Sequence, residues 1–203
     1  MSKTMKGAAS APSEYCLDDL GTSFKVVLVD SVQERNGPMG PEVYIPDYQG
    51  LLKQIAVVRA FHPAKLKAGD IQFLRKSLGI KSKELAVRLD ISPEHMSRCE
   101  SGDKTLAPNS EKVLRYLIVW EALSVAQKAL QKAAEKSDAE LDHFLSKISE
   151  ITERVEKLMD GLTIDPLHNA EEELVFHFTL VSHDESAPAN DDGEAPAREW
   201  LAA

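Results

Sequence analysis

The sequence predicts a mainly α chain with a small β element, of the α+β class. A compact five-helix domain is expected, followed by long helices with heptad character. Three observations predict this. Between Ala68 and Leu117, apolar residues recur at helical spacing in short segments divided by strong start and stop signals. From Leu141 to Leu162 they repeat with a seven-residue period. Strand-like runs are confined to two places, within residues 24–46 and 173–181.

The elements follow in order. Residues 1–13 are small and polar, and a disordered start is expected. Phe24–Val29, FKVVLV, is β-rich and bounded by Gly21 and Asp30. The Asn-Gly and Gly-Pro steps of QERNGPMGP, Gln33–Pro41, suggest a turn or hairpin connection into a short strand, Glu42–Pro46. DYQGLLKQIAVVRA then puts Leu51, Leu52, Ile55, Val57 and Val58 on an apolar helical stripe. Residues 14–60 therefore read as a small β-β-α unit.

Residues 61–118 form the next expected domain. One helix carries Ile71, Leu74 and Leu78 and stops at Gly79. A second carries Leu85, Ala86 and Leu89. A third starts on Ser92 as N-cap with Pro93 at its first position, and ends at Gly102. A further helix follows Pro108. In it Tyr116, Leu123 and Leu130 fall seven apart, with Val119, Ala126 and Ala133 three residues after each.

Ser137 and Glu140 make a capping-box pattern that opens another helix. Leu141, Ile148, Val155 and Leu162 hold one heptad position there, and Phe144, Ile151 and Leu158 the other. This seam predicts a helical hairpin or coiled coil over 119–181, serving dimerisation and ending in the strand Glu173–Val181. That strand could pair with FKVVLV or with its own copy in a second subunit. The acidic, Pro/Ala-rich residues 182–203 are expected to be disordered.

Bulk properties narrow the function classes. The net charge is −9, yet Phe61–Ile118 holds 11 basic and 7 acidic residues, so that segment is locally basic. Local field governs phosphate contact. Cys16 and Cys99 stand alone, without the close pairs a zinc site needs. His62, His168, His177 and His183 lack metal-ligand spacing. No catalytic constellation, phosphate loop or cofactor motif stands out, so neither an enzyme nor a cofactor is expected. The N-terminus lacks the apolar core of a signal peptide, and no run reaches the roughly 20 apolar residues of a membrane span. A soluble, cytoplasmic protein is the expectation.

The central segment carries the chemistry. Leu85, Ala86 and Leu89 face inward, Ile91 fills the space under the turn, and Met96 anchors the next helix. Pro93, Glu94, His95, Ser97 and Arg98 are left facing out from its first turns, as candidate base readers. Arg98 suits a bidentate contact to guanine, Glu94 can accept from cytosine N4, and His95 can donate. Lys81, Ser82, Lys83 and Lys104 are candidate phosphate partners. Cys99 reads as a buried small hydrophobe.

Ala68–Leu117 resembles the Cro/CI-type (XRE) helix-turn-helix family, on FLRKSLGI, ELAVRLDIS and MSRCESGDK, with Ser97-Arg98-Cys99-Glu100-Ser101-Gly102 the most specific part. Asp90 stands where the family usually has a turn glycine. Cys99 stands where a bulky aromatic is frequent. Lys81 takes a common capping position, and Ser82 a frequent Gln position. More weakly, EVYIPDYQGLLKQIA with LKAGDIQFLRKSLGI is similar to MqsA/YgiT-like antitoxin regulators, without their paired zinc cysteines.

The resemblance implies a sequence-specific transcriptional regulator. It would be a dimeric repressor reading an inverted-repeat operator in double-stranded DNA through helix 92–101. Two alternatives stand beside it. One is an antitoxin that neutralises a partner toxin and represses its own operon. The other is a dimeric adaptor that kept the fold but lost DNA binding.

Overall fold

A computed structural model of the chain describes residues 13–134, 145–146, 148–150, 152–153, 155, 173–182 and 198–202. Among these, about 51% are helical and 24% in strands. The elements are β1 (Glu14–Leu17), β2 (Phe24–Val29), β3 (Gln33–Gly37), β4 (Gly40–Tyr44), α1 (Tyr48–Phe61), α2 (Ala68–Ser77), α3 (Ser82–Arg88), α4 (Pro93–Ser101), α5 (Pro108–Ala134), β5 (Leu174–Ser182) and β6 (Arg198–Ala202). This overturns the expected mainly α architecture. The molecule is a mixed α/β fold that opens on a four-stranded sheet, not a Cro/CI-like helical domain trailed by long heptad helices. The physical reason is that half of the sheet comes from the far end of the chain, a pairing no local pattern announces.

The described residues divide into two compact units, and β2 and α1 each contribute to both. The first unit takes in the residues up to Asp19, Lys25–Leu51, and those from Val175 onward. Its sheet has the order β1-β2-β5-β6. β1 runs antiparallel to β2, with Glu14 opposite Val29 and Leu17 opposite Val26. β5 runs antiparallel to β6, with Phe178 opposite Ala202 and Leu180 opposite Trp200. Val26 and Leu28 alternate with less buried neighbours, the two-residue period of a half-buried strand.

Phe178 and Trp200 are buried as well, and Trp200 Nε1 donates to the Asp47 carbonyl at 3.1 Å. FKVVLV does neighbour the strand expected at Glu173–Val181, which is β5. The expected tail disorder fails at Arg198–Ala202, which forms β6. QERNGPMGP is itself most of a hairpin, with β3 and β4 paired from Gln33–Tyr44 to Gly37–Gly40.

The second unit comprises Leu20–Phe24 and the residues from Leu52 to Leu174. Ile55, Leu66, Ile71, Leu74, Leu85, Met96, Leu106 and Leu114 are fully or almost fully buried in it. Phe24 packs edge-on against Phe73, ring centroids 6.0 Å apart. A Cβ on Gly69 would lie 2.2 Å from the Gly21 carbonyl oxygen, so only glycine allows the start of α2 to approach that loop so closely.

A charged network lies under the loop between α1 and α2, with Arg59, Asp70, Glu111 and Arg115 each fully buried. Arg59 pairs with Asp70 at 2.8 Å and also donates to the carbonyls of Ala64 and Lys65, both at 3.0 Å. Asp70 further accepts from the Ser23 amide at 2.9 Å and from the Ser23 hydroxyl at 2.7 Å. Arg115 pairs with Glu111 at 2.7 Å and donates to the carbonyls of Ala60, His62 and Ala64. Lys65 pairs with the other Glu111 oxygen at 2.6 Å. The loop's backbone carbonyls, which a buried loop cannot leave unsatisfied, find their donors in these guanidinium groups.

α5 does not use the expected heptad register. Among its described side chains the buried ones are Glu111, Leu114, Arg115, Ile118 and Val119, one stripe at helical spacing that shares only Val119 with that register, while Tyr116 is exposed and Leu123 half-buried. Of the proposed seam, Ile148 and Val155 are helical and half-buried. Leu141, Phe144, Ile151, Leu158 and Leu162 lie outside the described residues, as do Ser137 and Glu140. Among the described residues, no helix is long and apolar enough to cross a membrane.

Candidate nucleic-acid interface

α3, a tight turn and α4 form a helix-turn-helix pair. Leu85 and Ala86 of α3, and Met96 and Cys99 of α4, are completely buried. The chain reverses at Asp90, whose φ of 53° lies in the left-handed region. Asp tolerates that region better than most residues, so the turn closes without glycine. The Ile91 amide then donates to the Ala86 carbonyl at 3.0 Å. Ile91 itself is half-buried beneath the turn.

α4 begins as its sequence signals demand. The Ser92 hydroxyl accepts from the His95 amide at 3.1 Å, and Pro93 occupies the first turn, where its missing N–H is not needed. Gly102 ends the helix in the left-handed conformation, φ 89°. With Met96 and Cys99 turned inward, Pro93, Glu94, Ser97 and Arg98 are exposed and His95 is half-buried. The five candidate base readers therefore share the outer part of one helix.

The candidate phosphate partners are distributed around it. Lys81 is the N-cap residue of α3 and makes no side-chain cap. Ser82 is half-buried at the first helical position, and Lys83 is exposed. Lys104 follows α4, and its amide donates to the Arg98 carbonyl at 3.0 Å. Glu94 is held below the ordinary carboxylate range, chiefly by its own backbone amide and the Ser92 hydroxyl, with Lys83 adding a smaller effect. An anion thus stands in the first turn of α4, and Lys83 is close enough to act on it.

Glu100, the acidic member of the most specific motif, faces inward. Its carboxylate accepts from Arg75 Nε of α2 at 2.5 Å, and its backbone carbonyl accepts from Gln72 at 2.7 Å. Arg75 also donates to the Ile80 carbonyl at 3.1 Å. Glu100 therefore clamps α4 onto α2, and Arg98 is the charged residue of the motif left facing out. Sequence reasoning did not identify Arg75, because its partner lies 25 positions away. Burial raises the Cys99 thiol pKa against the pull of Lys104, Lys65 and Arg98, which keeps it protonated and unreactive.

Ion pairing sharpens the local charge. Within residues 61–118, Lys65, Arg75, Arg88 and Arg115 are paired, as are Asp70, Glu84, Glu100 and Glu111. Outside those pairs stand seven exposed cations, against the three exposed carboxylates of Asp90, Glu94 and Asp103. The internal pairs cancel, and the basic excess is presented to solvent.

Among the described residues, no group of three His, Cys, Asp or Glu side chains is arranged to hold a metal ion. No protein-family model, curated protein or solved structure gives a match to this chain.

Proposed function

We propose that the protein is a sequence-specific DNA-binding transcriptional regulator that acts as a dimer in the cytoplasm and represses by occupying an inverted-repeat operator. The observation that carries this reading is the exposed outer part of α4. Pro93, Glu94, His95, Ser97 and Arg98 present a polar surface there, while Met96 and Cys99 fix the helix from behind. The solvent-facing excess of cations supports approach to phosphates. In this reading Arg98 contacts a guanine edge, Glu94 accepts from cytosine, and Lys81, Lys83 and Lys104 bind phosphates.

The test is footprinting on the DNA upstream of the protein's own gene, with a salt titration. A protected inverted repeat with half-sites about one helical turn apart is expected. Arg98→Ala should weaken specific binding by about 1–3 kcal/mol at fixed salt. Unchanged specific affinity in that variant would remove Arg98 from the base-reading role.

One observation favours a second reading, an adaptor that no longer binds DNA. Glu94 stays ionised at the start of α4, where it repels a phosphate. The two readings part on salt dependence. A regulator loses affinity steeply as salt rises, whereas an adaptor shows only weak, salt-insensitive binding to any duplex.

A further inference from the structure

The face of α5 opposite its buried stripe is apolar and open. Val113 is 40% exposed, Tyr116 37% and Trp120 56%, and the two aromatic rings stack with centroids 6.2 Å apart. Leu123 continues the row half-buried, and the exposed amides Asn109 and Gln127 bound it at either end. Residues at this spacing fall on one face of a helix, which the exposed Lys112, four residues before Tyr116, borders on one side. The positions three and four residues either side of Trp120 (Tyr116, Leu117, Leu123 and Ser124) carry no charge. Charge depletion around aromatic anchors is the composition of an interface core.

The row reads the same from both ends. Val113 and Leu123 lie five positions either side of Ile118, and Tyr116 and Trp120 lie two either side. Asn109 and Gln127 each lie nine away. A second α5 packed antiparallel about that midpoint would set Tyr116 against Trp120, Val113 against Leu123, and Asn109 against Gln127, all reciprocally. This is the self-complementarity a twofold axis requires.

From these observations we infer that the outer face of α5 is a self-association surface whose partner is a second, antiparallel copy of the same helix. The surface supplies the twofold that the DNA-binding reading needs. Its test contains no DNA, so the two readings can fail separately.

Size decides how strong the association is. With about 150–250 Å² per aromatic side chain, the exposed fractions of Tyr116 and Trp120 amount to roughly 200 Å² per copy. A stable interface buries about 1,200–2,000 Å² in total. The aromatic pair is therefore an anchor for a weak, concentration-dependent dimer, which two adjacent half-sites would strengthen through effective concentration.

Sedimentation equilibrium on the full chain tests this. The wild type should show reversible dimerisation, and Trp120→Glu should weaken it about thirtyfold or more, as loss of an aromatic hot spot does. Far-UV circular dichroism and protection of Cys99 from thiol reagents verify that the variant is folded. In a Cys16→Ser background, Val113→Cys combined with Leu123→Cys should form an intermolecular disulfide on mild oxidation, and Val113→Cys alone should not. An intramolecular bond is excluded, because ten helical residues span about 15 Å.

Efficient cross-linking of the single variant would mean parallel packing and would overturn the inference. So would a chain that stays monomeric at its solubility limit, or a dimer indifferent to Trp120→Glu. A Trp120 already shielded from quenchers in the monomer would also overturn it, by showing that a segment of the same chain covers the stripe.

Discussion

At the scale of single residues, the buried charges decide more than their number suggests. Arg59 and Asp70 are both completely removed from water and pair at 2.8 Å. Their net contribution as a pair is modest, because desolvation offsets attraction. Removing one partner is different, since it strands the other charge in a low-dielectric interior. Asp70→Asn should therefore destabilise the protein by about 3–5 kcal/mol in urea unfolding. A loss below about 1 kcal/mol, the range of exposed pairs, would mean that water reaches the site.

None of this was legible in the sequence. Arg59, Asp70, Glu111 and Arg115 carry side chains that pattern reading assigns to solvent. The interior position of Glu111 and Arg115 depends on backbone groups more than 40 positions away, the Leu66 amide that donates to Glu111 and the Ala60 and Ala64 carbonyls that accept from Arg115. Arg98 shows the opposite case. Its outward direction followed from the periodicity that turns Met96 and Cys99 inward, and the structure keeps that division.

At the scale of elements, the signals that could be read were those written next to one another in the chain. Ser92, Pro93 and Gly102 announced both ends of α4 and occupy those roles. Ser92→Ala should destabilise the protein by about 1 kcal/mol through loss of one amide acceptor. Glu94 adds a pH dependence whose sign is set by its lowered pKa. The stabilisation it contributes is fully present above its ordinary value of 4.5, and is lost as pH falls through the lowered one.

A Glu94→Gln variant should therefore melt below the wild type at neutral pH and converge with it on acidification. Divergence that grows toward acid would reverse the assignment. α5 was only half legible. Its length followed from unbroken helical residues after Pro108, but its register did not. Of the apolar residues that suggest a seam there, Val119 is buried but Tyr116 is exposed, and the buried stripe contains an Arg and a Glu.

At the scale of the whole molecule, the sheet joins parts of the chain that local reasoning kept apart. β1 has four residues and β6 five, too short for an alternation pattern to declare itself. Both exist as edge strands because β2 and β5 offer them backbone partners. Residues 198–202 sat in a segment whose composition argued for disorder, yet Trp200 supplies the missing free energy. It is 2% exposed, lies opposite Leu180, and closes its only polar group on the Asp47 carbonyl.

Truncating that side chain removes the apolar area and the hydrogen bond together. Trp200→Ala should therefore destabilise the four-stranded sheet by about 3–5 kcal/mol. All of those partners belong to the first unit, whereas α4 and the side chains that fix it belong to the second. Amide exchange should accordingly rise across β5 and β6 in this variant while α2, α3 and α4 keep their protection, and Cys99 should remain closed to thiol reagents. Equal loss of protection in α4 would show instead that the interface helix depends on the sheet, and that a change at the far end of the chain can reach the surface that Arg98 occupies.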